Sequence, residues 1–103
     1  MITLVRTANI HDGKAGEALA WAIKTVNSVN ANMEGVNVQV LRNVGGPTFQ
    51  LHFVSTYESL AAYDEATKRL EADAGYQELI AEARAAGLFI ASSIVDSLYE
   101  TIS

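Results

Sequence analysis

The chain begins with alternating residues and then changes to helical spacing. Met1 to Ile10 alternates aliphatic residues with Thr, Arg and Asn, which predicts a first strand. A following apolar stripe predicts a helix from about Gly13 to Met33, ended by Gly35. We expect Asp12 to be its N-cap, because a carboxylate there can accept from free backbone N–H groups. The stripe consists of Ala15, Leu19, Ala22, Ile23, Val26, Val29 and Met33.

The middle of the chain predicts two strands joined by a hairpin. Val36–Arg42 and Thr48–Val54 both alternate with period two, and the turn residues Asn43–Pro47 lie between them. Alternation of the later strand separates its side chains into two faces. Phe49, Leu51 and Phe53 share one face, and Gln50, His52 and Val54 share the other.

The second half predicts two helices and a last strand. Ser55–Glu58 fits a capping box, with a helix following through Leu70 that carries Tyr57 and Tyr63. Asp73 interrupts that helix and can cap another, which reaches Ala83 and ends at Gly87. Leu88 to Ile102 is then expected to form a long final strand.

This order of elements, βαββ(αα)β, predicts an α+β fold of the ferredoxin-like class in a single domain over residues 1–103. A four-stranded antiparallel sheet would carry its helices on one face and leave the other face uncovered. If that second face carries Val5, Leu41, Val54 and Ile94, a partner's sheet is its natural cover. We therefore expect a homodimer that forms a dimeric α/β barrel, with further association of dimers left open.

Composition narrows the class of protein. The net charge is -5, and no cluster of Lys or Arg offers the cationic face that nucleic acid requires. The chain has no cysteine, which suits a reducing compartment and removes thiol chemistry and cysteine-based metal sites. No signal peptide and no apolar run of about 20 residues is present, so we expect a cytoplasmic protein that does not contact membranes.

His52 is the leading candidate for chemistry. It is expected to point toward the barrel between subunits, where a histidine can bind a ligand or move a proton. The alternative is a histidine satisfied by a neighbouring strand or by water. Four further polar residues could orient a ligand in that barrel, or could equally pair with one another across the interface: Asn9, Gln39, Gln50 and Ser92.

The remaining candidates favour structural roles. His11 and Asp12 diverge on a turn, and two histidines supply few ligands, so no metal and no cofactor is expected. Arg6 could hold an anionic ligand or pair with Asp96, and the ion pair is the preferred interpretation. Trp21 is expected to pack in the core.

Three segments resemble NIPSNAP-type domains of the dimeric α/β-barrel superfamily, which includes antibiotic-biosynthesis monooxygenases. Arg6 to Lys14 is similar to the family's opening pattern, although Asp12 replaces its proline. Gln50 to Phe53 is similar to its histidine-containing third strand, and Ala72 to Leu79 to its last helical motif, with Tyr76 in place of tryptophan. The resemblance covers nearly the whole chain and implies a dimeric barrel.

What the resemblance implies about activity is less specific. Related members include cofactor-free monooxygenases, and haem-degrading enzymes that use an Asn, a Trp and a His. The segment Thr56 to Gly87 lacks Trp and His, which disfavours haem degradation. The hypothesis is therefore binding, with or without cofactor-free conversion, of a small apolar or aromatic molecule. The alternative is an assembly protein with a filled barrel, and a ligand-sensing module is a third hypothesis, disfavoured because no DNA-binding segment is present.

Overall fold

The computed structural model describes residues 1–103 and has the predicted order of elements. Four strands form one sheet, and three α-helices pack on it. The strands are β1 (Ile2–Asn9), β2 (Val38–Arg42), β3 (Gln50–Tyr57) and β4 (Val95–Glu100). The helices are α1 (Ala15–Asn32), α2 (Leu60–Ala72) and α3 (Ala74–Ala86), with a short 3-10 turn at Ala91–Ser93.

The sheet has the order β2-β3-β1-β4, and every neighbouring pair is antiparallel. This arrangement confirms the α+β, ferredoxin-like fold. The register places Val5 opposite Val54 and Arg6 opposite Phe53, so the two central strands present alternate residues to the same face. The helices cover only one of the two faces.

The start of α1 differs from the sequence-based expectation. The N-cap is Lys14, and no side chain caps this helix, so the assignment of Asp12 as N-cap is wrong. The backbone N–H of Lys14 instead donates to the His11 carbonyl at 3.1 Å, closing a turn that passes through Gly13 at a φ of 76°. That turn moves the first helical residue beyond the reach of the Asp12 carboxylate.

The third strand begins and ends later than predicted. Phe49 has a φ of 57°, which breaks the extended conformation, so the strand starts at Gln50 and the Phe49 ring is 63% exposed. At the other end the strand continues to Tyr57, which pairs with Ile2. The predicted capping box at Ser55–Glu58 and the helical placement of Tyr57 are therefore wrong.

The caps of α2 and α3 are partly as predicted. Ser59 caps α2 by accepting from the Ala62 N–H at 3.1 Å. Asp73 caps α3 by accepting from the Tyr76 N–H at 2.8 Å, which confirms its predicted role. Gly87 ends α3 in the left-handed conformation, as expected of a C-cap glycine.

The last strand is shorter than predicted. The chain leaves α3, makes a single bridge from Phe89 to Ile10, and then forms the 3-10 turn before β4 begins at Val95. Ser93 stabilises that turn and accepts a hydrogen bond from the Asn9 N–H at 2.9 Å. Ser92, expected on a strand, consequently lies exposed in the turn.

The core lies between the sheet and the helices and has two parts. One part surrounds Trp21, whose ring makes edge-to-face contacts with Phe53 and Phe89, with centroids 6.2 Å and 5.5 Å away. The other surrounds Tyr57, which makes a similar contact with Tyr63 at 5.4 Å. The packing role predicted for Trp21 is confirmed, and residues of both parts line a cavity.

Candidate functional site: two faces of one sheet

The two faces of the sheet carry different side chains. We call the face beneath the helices the covered face; it carries Ile2, Leu4, Arg6 and Ala8 of β1, and Leu51, Phe53, Ser55 and Tyr57 of β3. We call the other the open face. The open face consists of Thr3, Val5, Thr7, Asn9, Gln39, Leu41, Gln50, His52, Val54, Thr56, Val95, Ser97 and Tyr99.

A cavity of about 250 Å³ lies between the covered face and the helices. Its walls come from β1, β2, β3 and all three α-helices, and most of the lining residues are apolar. Its aromatic wall residues are Trp21, Phe53, Tyr57, Tyr63 and Tyr76. This volume lies slightly below the roughly 300–1,000 Å³ typical of small-molecule sites, and the apolar walls with few polar groups match their usual character.

Several polar side chains in the cavity wall already have partners within the protein. The Trp21 indole N–H donates to the Leu79 carbonyl at 2.8 Å. Ser55 Oγ donates to the Tyr57 hydroxyl oxygen at 3.0 Å, and Thr67 Oγ1 donates to the Tyr63 carbonyl at 3.0 Å. These hydrogen bonds fix the wall's shape, since each holds a buried or half-buried side chain in one orientation.

Arg6 brings a charge to the wall. Its Nε and Nη2 donate to the two carboxylate oxygens of Asp96 at 2.7 Å and 2.8 Å, a bidentate pair between β1 and β4. These bonds raise the pKa of Arg6 and lower the pKa of Asp96. The ion pair, which the sequence favoured over a bound anion, is confirmed. The two side chains are 43% and 40% exposed.

His52 lies on the open face, as the alternation predicted. Its Nε2 is 2.6 Å from the Asn43 Oδ1, an acceptor, so Nε2 carries the hydrogen. The Thr7 hydroxyl oxygen is 2.8 Å from Nδ1, within hydrogen-bond distance. Both ring nitrogens therefore have partners within the chain, as in the alternative interpretation of a histidine satisfied by its neighbours. His52 is half-buried.

The other predicted ligand-binding residues are only partly brought together. Gln50 Nε2 donates to Asn9 Oδ1 at 3.0 Å, so these two amides pair with each other. Gln39 lies on the edge strand β2, exposed and opposite Val54, with no side-chain hydrogen bond. Ser92 lies outside the sheet in the 3-10 turn.

Sequence reasoning missed the cavity. The helical stripe that faces the sheet is Ala18, Trp21, Ala22, Thr25, Val26 and Val29, rotated from the predicted one. Ile23, placed in the predicted stripe, is 48% exposed. The available signal was Thr25, a polar residue with Trp21 and Ala22 four and three positions before it and Val29 four positions after it, because residues at this spacing share one face of a helix.

Known structures share this fold. An uncharacterised NIPSNAP domain protein from Burkholderia xenovorans superposes with a TM-score of 0.80 at 16% identity, covering 100% of this chain and 96% of that one. A variant of SnoaB, a cofactor-independent oxygenase from Streptomyces nogalater, gives 0.71 at 17%, covering 99% and 93%. An antibiotic biosynthesis monooxygenase gives 0.73 at 12%, covering 100% of both chains.

These likenesses confirm, at the level of the fold, the resemblance to NIPSNAP-type domains and antibiotic-biosynthesis monooxygenases that the sequence motifs indicated. No family model matches the chain. No curated protein matches it in sequence. None of the helices has the combined length and apolar character of a membrane span.

Proposed function

We propose that this protein binds a small apolar or aromatic molecule in the cavity between the covered face and the helices. The single observation that carries the proposal is the cavity itself, with about 250 Å³ of space among five aromatic rings. An apolar guest would gain contacts with those rings on entering and would leave water at the same time. Arg6 is neutralised by its pair with Asp96, which leaves Glu71 as the one lining residue with an unpaired charge.

The sequence-based proposal placed the guest on the other face, near His52. That site needs a second subunit to close it, and both His52 ring nitrogens already have partners. The cavity beneath the helices needs no such completion. We favour the covered face as the binding site. A role in ligand binding stays a prediction for Asn9, Gln39, Gln50, His52 and Ser92.

We further propose a homodimer joined through the open faces. Val5 and Val54 lie side by side at the centre of that face, and Leu41 and Tyr99 flank them at 48% and 56% exposure. Apolar residues gathered on one uncovered face are stabilised by a partner surface, and an identical face supplies one through two-fold symmetry. We keep the cytoplasm as the proposed location.

Cofactor-free conversion of the guest is a second candidate function. It is favoured by the shared fold with SnoaB, which is described as a cofactor-independent oxygenase. Conversion of this kind would consume dioxygen in the presence of a bound guest. Oxygen uptake in the presence of a guest that disappears when a substitution such as Leu4→Phe fills the cavity would establish this conversion. No oxygen uptake with any bound guest would leave binding as the function.

Leu4 and Val5 offer a matched test of the proposed site, because they are neighbours on β1 that point to opposite faces. Leu4→Phe is expected to fill part of the cavity, and Val5→Phe is its control on the open face. Binding of 2-naphthol, measured by equilibrium dialysis, should weaken about tenfold in Leu4→Phe, the loss that roughly 1.4 kcal/mol of contact energy produces. It should change less than about twofold in Val5→Phe.

Native mass spectrometry of the purified protein at several concentrations tests the assembly. A dimer that carries extra mass would support the binding proposal and give the size of the guest. A clean dimer that takes up no 2-naphthol would favour the alternative, an assembly protein without a ligand. A monomer at every concentration would contradict the proposed homodimer.

A further inference from the structure

Thr25 occupies an unusual place in the cavity wall. It lies in the middle of the buried stripe of α1, and its side chain is among the residues that line the cavity. The residue is 5% exposed, and its Oγ1 is the one buried side-chain polar atom in the chain without a hydrogen-bond partner within the protein.

The neighbouring hydroxyl groups show that a missing hydrogen-bond partner is not general among the residues of the cavity wall. Ser55 and Thr67 line the same cavity, and both donate to protein oxygens at 3.0 Å. Thr67 bonds to the carbonyl four residues earlier in its helix, which is the usual solution for a helical threonine. Thr25 makes no corresponding bond to Trp21.

An unpartnered buried hydroxyl destabilises the folded protein, because the group gives up its hydrogen bonds to water and receives none in return. Valine has nearly the same shape as threonine and would avoid this penalty in an apolar stripe. A threonine in a helix also has two accessible χ1 rotamers, which point its hydroxyl group in different directions. Rotation about χ1 therefore allows Oγ1 to turn toward a molecule in the cavity.

We infer that the Thr25 hydroxyl is a specificity-determining group of the cavity, and that it selects an aromatic guest carrying a hydroxyl or carbonyl oxygen. This inference rests on the proposed function, since it names the chemical class of the guest in that same cavity. The guest's oxygen supplies the hydrogen-bond partner that Thr25 lacks in the protein, and the guest's apolar body lies against the aromatic walls.

The test compares two probes of nearly equal shape. 2-Naphthol carries a hydroxyl where 2-methylnaphthalene carries a methyl group, and each is titrated into wild-type protein, Thr25→Val and the control Thr56→Val by equilibrium dialysis. Thr56 is an exposed residue of the open face. The measured quantity is the ratio of the two dissociation constants, in which differences common to both probes cancel.

In Thr25→Val the preference for 2-naphthol should fall about tenfold relative to wild type, as expected for one hydrogen bond in an apolar cavity. Thr56→Val should keep the wild-type ratio. Without any probe, Thr25→Val should unfold a few degrees above wild type, because the unpaired hydroxyl is gone. A role confined to structure would not combine higher stability with a lost preference.

The test distinguishes failure of the inference about Thr25 from failure of the proposed function. Equal probe ratios in Thr25→Val and wild type, with both probes bound, would overturn the assignment of Thr25 and leave guest binding in place. Failure of both probes to bind wild-type protein would overturn the proposed function, and the inference about Thr25 with it. A Thr25→Val protein that unfolds well below wild type would show that the hydroxyl serves packing, which also contradicts the inference.

Discussion

The two faces of the sheet are built from the same strands, yet they differ in what covers them and in how their polar side chains are paired. The covered face has helices above it, and the one buried side-chain polar atom without a partner, Thr25 Oγ1, lies on α1 at the wall of the cavity between them. The open face has a central apolar pair, Val5 and Val54, with polar residues around it that bond to one another. One face thus borders a space large enough for a small molecule, and the other is left uncovered.

This contrast shows that a histidine on a strand is a weaker guide to a binding site than the space around the side chains. His52 attracts attention in the sequence, but in the structure Thr7 and Asn43 use both ring nitrogens. Thr25 attracts none, although it has a free hydroxyl beside a cavity. Four substitutions, in decreasing order of expected effect, test whether the two faces have different roles.

Trp21→Ala should have the largest effect on stability. The ring is 8% exposed and joins the two aromatic neighbours Phe53 and Phe89 beneath the helices. We expect the free energy of unfolding, measured in urea, to fall by about 3–5 kcal/mol. Leu41→Ala on the open face is the control, and we expect it to change the stability of the monomer by less than about 0.5 kcal/mol. Equal losses would contradict the assignment of the core to the covered face.

Val54→Asp should break the proposed dimer. A carboxylate at the centre of a symmetric interface would be desolvated beside its own copy, so we expect the dimer's dissociation constant to rise by at least about a hundredfold. Light scattering after size exclusion reports the mass, and circular dichroism checks that the fold persists. A Val54→Asp protein that stays dimeric would place the interface elsewhere. Glu78→Asp, at an exposed position on α3, is the control and should leave the dimer's dissociation constant unchanged.

His52→Ala separates the two proposed ligand sites. We expect it to cost about 1 kcal/mol of stability, because the Thr7 and Asn43 bonds are lost from a half-buried position. Binding of 2-naphthol, measured by dialysis, should stay within about twofold of wild type. Complete loss of binding in a folded dimer would instead put the guest on the open face, as the sequence first indicated.

Asp96→Asn should have the smallest effect, and one that depends on pH. The pKa of Asp96 lies below its ordinary value of about 3.9, because Arg6 donates two hydrogen bonds to the ionised carboxylate. A lowered pKa means that this stabilisation is complete above about pH 4 and is lost as the pH falls through the folded-state pKa. The exposed pair should contribute no more than about 1 kcal/mol.

Thermal unfolding of wild type and Asp96→Asn from pH 7 to pH 3 measures this contribution. The difference in Tm should be constant down to about pH 4 and should shrink below it. Groups that titrate in both proteins cancel in the difference. A gap that widens as the pH falls would have the wrong sign for a stabilised carboxylate.

Much of the fold was predictable because it follows from local patterns. Alternation fixed which side chains share a face, and Asp73 and Gly87 had the side chains that their caps require. The errors occurred where tertiary contacts decide. Tyr57 stays in β3 because it pairs with Ile2, and Phe49 leaves the strand conformation at a hairpin whose geometry no period of two reveals.

The cavity was not predictable in the same way. Periodicity can assign a residue to a buried face, but it cannot show whether the helices above that face fill all the space. Ser55 pairs with Tyr57 of its own strand, whereas whether Thr25 finds a partner depends on how the helices and the sheet pack around it. Arg6 and Asp96 were the exception, since opposite charges on adjacent strands suffice to suggest their contact.

The most direct measurement is methyl NMR of the protein titrated with 2-naphthol, because methyl groups report from both faces at once. Binding beneath the helices predicts large shift changes for Leu4, Val26, Val29 and Val38, which line the cavity. The methyls of Val5, Leu41 and Val54 on the open face should hardly move. The reverse pattern, with changes at Val5 and Val54 and none at Leu4, would contradict the division of roles between the two faces.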